Sequence, residues 1–399
     1  MNLSQGRSYL AIPGPSVVPD RVLNAMHRAA PNIYEGPLHA MTATIFRDLN
    51  LLANSSGQVA IYVANGHGAW EAANANLFSR GDRALVLATG NFGHSWANSV
   101  RRMGVEVDLL DFGRQSPPDP ARIAAALRAD PDHRIKAVLL TQVDTASSVK
   151  ADVAEVRAIL DAARHPALLA VDCIASLGCE PFEMDAWGVD VMVAASQKGL
   201  MMPPGLGFVW FSDRAARVCA GSDLRTPYWD WQPRADGPEF WQYFCGTAPT
   251  HHLFGLREAL DMILKDEGLP NVLARHARLA AMVWTAVEVW GRGGDIALNV
   301  ADQAARAPSV TSVRIGGGGA GRLRSWCEAN AGVTLGIPLG MAEPGAATYG
   351  DYLRIGHMGH VNAHMVMGVL GVIEAGMQSL GIPHGSGALD AAAATMAGR

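Results

Sequence analysis

Lysine is scarce in this chain: Lys136, Lys150, Lys198 and Lys265 are the only four among 399 residues, and the other 28 of its 32 basic residues are arginines. Lys198 follows a short, Val-rich apolar run, Val189-Asp190-Val191-Met192-Val193-Ala194-Ala195, which reads as a buried parallel strand. Ser196-Gln197-Lys198-Gly199 ends that strand, and another apolar run at 205–211 follows Pro203-Pro204. The lysine therefore lies on a tight connection between two buried strands. Low local dielectric disfavours the ammonium form, lowers the pKa and makes the amine a nucleophile for a carbonyl. The plain alternative is a lysine on an exposed turn.

Two further strand ends carry matching chemistry. Asn65-Gly66-His67-Gly68-Ala69-Trp70-Glu71 enters a helix through glycines, which lets backbone N–H groups approach a phosphate at the positive end of the helix dipole. The turn lacks the spacing of a dinucleotide fingerprint or a P-loop, which disfavours a nicotinamide enzyme. Leu168-Leu169-Ala170-Val171 leads to Asp172, whose carboxylate either pairs with a pyridinium nitrogen or bonds the backbone of its own turn. A nucleophilic lysine, a phosphate-binding helix start and an aspartate, each at a strand end, are the three points needed to hold pyridoxal phosphate by aldehyde, phosphate and ring nitrogen.

The elements that must position these groups alternate along the chain. Strands are predicted at 59–64, 83–89, 105–112, 136–142, 167–174, 189–196 and 205–211, with helices at 68–79, 94–104, 120–129 and 153–164 between them. Such alternation implies an α/β fold with a mostly parallel sheet covered on both faces and ligands bound at the carboxyl ends of its strands. Helices at 251–267 and 269–290 lead away from it to a smaller α+β domain, with strands at 309–315, 333–339 and 352–358 and helices at 321–329 and 363–380. The expected organisation is an N-terminal arm at 1–20, a large domain at 21–268, a linking helix and small C-terminal domain at 269–380, and a poorly ordered Ala- and Gly-rich tail at 381–399.

Composition excludes other classes. With 49% hydrophobic and 17% charged residues the chain can bury a large core, and a net charge of -5 gives no attraction for nucleic acid or an anionic membrane. The first residues lack a signal-peptide core and no apolar run spans a bilayer, so a cytoplasmic location is expected. Five widely spaced cysteines form no disulfide framework or zinc pattern, and are read as reduced thiols.

Pro13-Gly14-Pro15-Ser16, Val171-Asp172-Cys173-Ile174-Ala175-Ser176-Leu177-Gly178, Ala195-Ser196-Gln197-Lys198 with Pro203-Pro204-Gly205, and Leu353-Arg354-Ile355-Gly356-His357-Met358-Gly359 resemble the class V aminotransferases, in particular the serine:glyoxylate and alanine:glyoxylate group. The resemblance runs from about residue 10 to residue 380 and keeps the family's motif order. It implies fold type I architecture, pyridoxal phosphate as cofactor and a homodimer with active sites at the subunit interface. Lys198 then corresponds to the lysine that forms the Schiff base and shuttles the α proton, and Asp172 to the partner of the ring nitrogen. Gly66 and His67 correspond to the phosphate turn, Gln197 to a phosphate contact, and Phe92 to the aromatic ring against the cofactor face, where a plain core phenylalanine is the alternative. Thr145 corresponds to the hydroxyl near the ring oxygen, Thr247 to a phosphate contact from the partner subunit and Arg354 to the clamp on the substrate carboxylate. Tyr34 lies in a loop that approaches substrate in related enzymes.

Two departures stand out. Phe244 occupies a position where relatives often carry a phosphate-binding tyrosine, and Thr145-Ala146-Ser147-Ser148 replaces a commoner Thr-Ser-Thr-Gly pattern. His357, His360 and His364 have ligand-like spacing but straddle strand, loop and helix, so no metal site is assigned. His251-His252 reads as helix capping or packing. The aromatic segment 228–243 reads as interface packing in preference to an active-site cover. The reaction implied is transamination between a small L-amino acid, serine or alanine favoured, and a 2-oxo acid such as glyoxylate. The alternatives are a lyase of the desulfurase type, for which Cys327 sits in a predicted helix, a transaminase acting on free pyridoxamine, and a binding subunit without activity.

Overall fold

The computed structural model describes residues 3–398. Seven strands form the large sheet: β1 (Gln58–Ala64), β2 (Arg83–Ala88), β3 (Glu106–Asp111), β4 (Ile135–Thr141), β5 (Leu168–Asp172), β6 (Val191–Ala195) and β7 (Gly205–Phe211). Their order is β1-β7-β6-β5-β4-β2-β3, and β7 alone runs antiparallel to both neighbours. The strands read as near-continuous apolar runs because both faces are buried. Ile61, Leu85, Val138, Leu169 and Met192 point into one core, while Ala60, Tyr62, Val86, Leu139 and Val193 point into the other. Helices α1 (Gly66–Leu77) and α2 (Asn91–Arg102) cover the second face. This is the α/β fold with a mostly parallel sheet that the alternation of elements implies.

A separate apolar cluster lies around α3 (Leu269–Gly291) and the antiparallel sheet of β8 (Ile296–Leu298), β9 (Val310–Ile315) and β10 (Tyr352–Gly356). Helix α4 (Ala363–Ser379) packs there as well. Three expectations change in this region. The run at 333–339 is a strand only over Val333–Leu335, where it pairs in parallel with Tyr9–Ala11 of the arm, and it meets β10 through a bridge between Gly336 and Arg354. The helix at 251–267 is α-helical over Thr250–Asp261 and π-helical over Met262–Glu267. Within the tail, Ala388–Met396 forms helix α5, with Ala388 and Ala392 buried and Arg278 of α3 donating to the Thr395 carbonyl. Small residues dock closely on α3, so an Ala-rich sequence here marks a tight helix contact.

The unusual loop 145–148 has a structural reason. Ser148 adopts φ 62°, the left-handed region that glycine occupies most easily, and its Oγ accepts from the Ser312 N–H of β9. A serine at this position ties the large sheet's loop to the small domain. Ser148→Val is expected to destabilise the protein by about 1–3 kcal/mol through backbone strain, and Ser148→Gly by less. Chemical denaturation of the two variants checks the order.

Candidate active site

All the groups picked out at strand ends converge on one cavity of about 140 Å3, lined by Gly66, His67, Phe92, Thr145, Asp172, Gln197 and Lys198, with Asn65, Trp70, Val143, Ile174 and Ala175 completing the wall. Parallel β1, β2, β4, β5 and β6 all end on this side, so five separate loops deliver side chains to one point.

Lys198 follows β6, and its amine donates to the Pro13 carbonyl of the N-terminal arm. The arm is fastened beside it: Ser16 Oγ donates to the Lys198 carbonyl at 2.8 Å and the Ser16 N–H to the Gln197 carbonyl at 2.9 Å. Gly14 has φ 110° and a Cβ there would collide with the Lys198 side chain, so this position requires glycine on both counts. Burial, and then the Arg354 charge, push the Lys198 amine down to about 8, while Asp172 acts in the opposite direction.

Asp172 ends β5. Its Oδ1 accepts from the Ile174 N–H at 2.7 Å and its Oδ2 from the Trp70 indole N–H at 3.1 Å. Burial pushes its carboxyl up to about 7, against the pull of those two donors. The local-turn bond considered for this residue is therefore present, and the carboxylate also faces the cavity.

At the far end, Asn65 caps α1 by accepting from the His67 and Gly68 N–H groups at 3.1 and 3.3 Å. Gly66 is closed over by Ile174, whose Cδ1 lies 2.6 Å from where a Cβ would stand. Gln197 Oε1 is buried without a hydrogen-bond partner. Phe92 begins α2, held by Asp144, whose Oδ2 accepts from the Phe92 and Gly93 N–H groups at 2.7 and 3.2 Å and whose Oδ1 accepts from Ala146 N–H. An amine, a carboxylate opposite it and a helix start closed to any side chain suit a phosphorylated pyridine aldehyde, so the residues present fit pyridoxal phosphate.

Arg354, on β10, stands behind this cavity and is not part of its wall. Its Nε donates to the Ile337 carbonyl at 2.7 Å and its Nη1 to the Thr145 carbonyl at 2.9 Å, which fixes the plane of the guanidinium. Burial pulls it down to about 10. Thr247 and Tyr34 are exposed and do not reach the cavity of their own chain. Phe244 is a core residue packed on Phe240, and Tyr243 packs on Phe46, so neither ring offers a polar contact to this cavity. Cys327 is buried in the helix Gly319–Ala331 with its thiol pushed up to about 12 by burial, which removes it as a nucleophile. His357 is buried, bonded to Thr311 and the Pro308 carbonyl, and no cluster of three or more metal-ligating side chains occurs among the described residues.

Three contributors were not singled out from the sequence. Asn65 was within reach as an Asn directly before a helix start, and Trp70 one turn further along the same helix, but Asp144 acts through a contact across 52 residues.

The raised acid has a consequence for the protein without cofactor. Between the ordinary value of 3.8 and about 7, the folded state holds a proton on Asp172 that the unfolded state releases, so this residue's contribution to stability falls as pH rises through that window. In thermal melts of the apoprotein, Asp172→Asn is expected to gain on wild type as pH is raised from 4 to 7.

Comparisons with known proteins agree with this chemistry. Residues 8–337 match the family described as aminotransferase class-V. The chain is 34% identical to a serine–glyoxylate aminotransferase of Methylorubrum extorquens, over 94% of this chain and 92% of that one. It is 35% identical to an L-aspartate–glyoxylate aminotransferase of Paracoccus denitrificans, over 93% and 91%. Among solved structures, the fold matches a pyridoxamine-pyruvate aminotransferase of Mesorhizobium loti with a TM-score of 0.89 at 24% identity, covering 100% of both chains. With this cavity and these relatives, the chain belongs to the class V aminotransferases and is a pyridoxal-phosphate-dependent enzyme.

Proposed function

We propose that the protein transfers an amino group from a small L-amino acid, serine or alanine, to glyoxylate, with Lys198 as the catalytic residue. The observation that carries the residue assignment is the convergence of Lys198, Asp172 and the start of α1 on one cavity. The substrates come from the names of the relatives.

In this reading Gly66, His67 and Gln197 would hold the phosphate, Asp172 the ring nitrogen, and Phe92 and Thr145 the ring. The bound cofactor supplies an electron sink for the negative charge that develops at the substrate's α carbon. Arg354 takes the substrate carboxylate, its guanidinium already oriented by two backbone carbonyls, so little ordering remains to be done on binding. Lys198, with its amine near 8, is neutral often enough at physiological pH to accept the α proton and basic enough to hold it for return. The Pro13 carbonyl gives up its hydrogen bond when that amine engages the cofactor or substrate. Asp144 keeps Phe92 in place from behind through the α2 N–H groups.

Thr247 and Tyr34 are exposed and do not line their own chain's cavity, which supports a homodimer in which each subunit completes the partner's site. No helix among the described residues is long and apolar enough to cross a membrane.

Two outcomes test the reading. Lys198→Ala is expected to lose transamination of serine or alanine with glyoxylate by about 10²–10⁴-fold, together with the visible band that pyridoxal phosphate gives on wild type. Arg354→Lys keeps the charge but not the fork, and is expected to raise the donor KM about 10-fold or more. Steady-state assays with serine, alanine, aspartate and free pyridoxamine as donors decide among the substrates.

A further inference from the structure

One buried donor close to the reacting centre belongs to none of the assignments above. Trp70 is 1% exposed, lies one turn into α1 from Gly66 and directs its indole N–H onto Asp172 Oδ2. Its ring is locked on three sides. It stacks on Trp96 at 5.9 Å with an interplanar angle of 6°, meets Phe92 edge-on at 6.3 Å, and takes the His67 ring at 4.7 Å on the cavity side. Trp96 is itself fixed, since its Nε1–H donates to Asn74 Oδ1 at 2.9 Å. A tryptophan with this much support has no rotational freedom, so its N–H direction is set by the fold.

A carboxylate at the foot of a low-dielectric cavity needs its unused oxygen lone pairs aimed and its charge compensated before it can hold a pyridinium proton. The Ile174 N–H fixes Oδ1 from β5's own turn. That bond alone leaves the plane of the carboxylate free to turn about it, and the second bond, from Trp70, removes the freedom. Both bonds favour the charged carboxylate over the neutral acid. Gly66 at the start of α1 and the indole N–H four residues further on thus belong to one helix, so the spacing between the helix start and the donor to Asp172 is built into α1.

We propose that Trp70 is a positioning residue for the cofactor ring, its indole N–H holding Asp172 ionised and in the plane that keeps the proton on the ring nitrogen. This rests on the assignment of Asp172 to that nitrogen, and the test separates the two.

The measurement is a double-mutant cycle on cofactor affinity, using wild type, Trp70→Phe, Asp172→Asn and the double variant, with Trp96→Phe as a control that disturbs the same ring stack without touching Asp172. Pyridoxal phosphate dissociation constants come from equilibrium dialysis. Nitrogen NMR of cofactor labelled at the ring nitrogen reports the proton directly. Trp70→Phe is expected to weaken binding about 10-fold in the presence of Asp172, to weaken it less than about twofold in the Asp172→Asn background, and to shift the ring-nitrogen signal toward the unprotonated form. Trp96→Phe should leave that signal in place. Equal losses from Trp70→Phe in both backgrounds, or an unchanged nitrogen signal, would mean that the tryptophan only packs, and would overturn the proposal. If Asp172→Asn itself leaves affinity and signal unchanged, the ring-nitrogen assignment fails and takes this proposal with it. Should Trp70→Phe not yield folded protein by circular dichroism, Trp70→Leu, which also lacks a donor, takes its place in the same cycle.

Discussion

An amine and a carboxylate share one small, low-dielectric cavity here, and the cost of keeping both there shapes everything around it. Desolvation pulls Lys198 down and pushes Asp172 up, so each is held near the point where it exchanges a proton at physiological pH. Neither group is left unpartnered. The Pro13 carbonyl receives the amine, and the Ile174 and Trp70 N–H groups receive the carboxylate. A second buried carboxylate, Asp144, accepts from the backbone N–H groups of α2 and of its own loop, which fixes Phe92, and its charge also raises the pKa of Asp172 and of Arg354.

The second constraint is that two of the cavity's functional neighbours arrive from outside the large sheet. Arg354 belongs to the small domain's β10, and the arm that carries Pro13 is paired through Tyr9–Ala11 with Val333–Leu335. Gly336 exchanges backbone bonds with Arg354, which joins that strand to β10. Arg354 and the arm that receives the lysine amine are therefore joined through one set of strands, while the lysine follows a strand of the large sheet. Ser148, held in the left-handed region, and Asn299, whose amide donates to the Ser147 carbonyl at 2.8 Å, link the large sheet's loop to the small domain beside the site.

Much of this was legible in residue order. The alternation of apolar runs and helices sufficed for a mostly parallel sheet, because strands buried on both faces carry apolar residues at successive positions. Lys198, Asp172 and Gly66 were legible as chemistry because each ends such a run. The departures were less so. Ala-rich sequence at the C-terminus looked weakly ordered, yet small side chains are what allow α5 to lie close against α3. The run at 333–339 had strand character without any indication that its partner was the N-terminal arm.

The sequence alone determined the chemistry available and the class of scaffold that carries it, since both depend on local pattern: which residue types stand at strand ends, and what period the apolar residues follow. Only the tertiary structure decided which of those ends meet. The order β1-β7-β6-β5-β4-β2-β3 brings together loops more than a hundred residues apart and turns Trp70 and Asp144 into supports for Asp172 and Phe92. The same packing buries Phe244 in the core and leaves Thr247 and Tyr34 outside their own chain's cavity. Such long-range contacts are set by the burial of two sheet faces at once, a property of the whole fold that no local stretch of residues encodes.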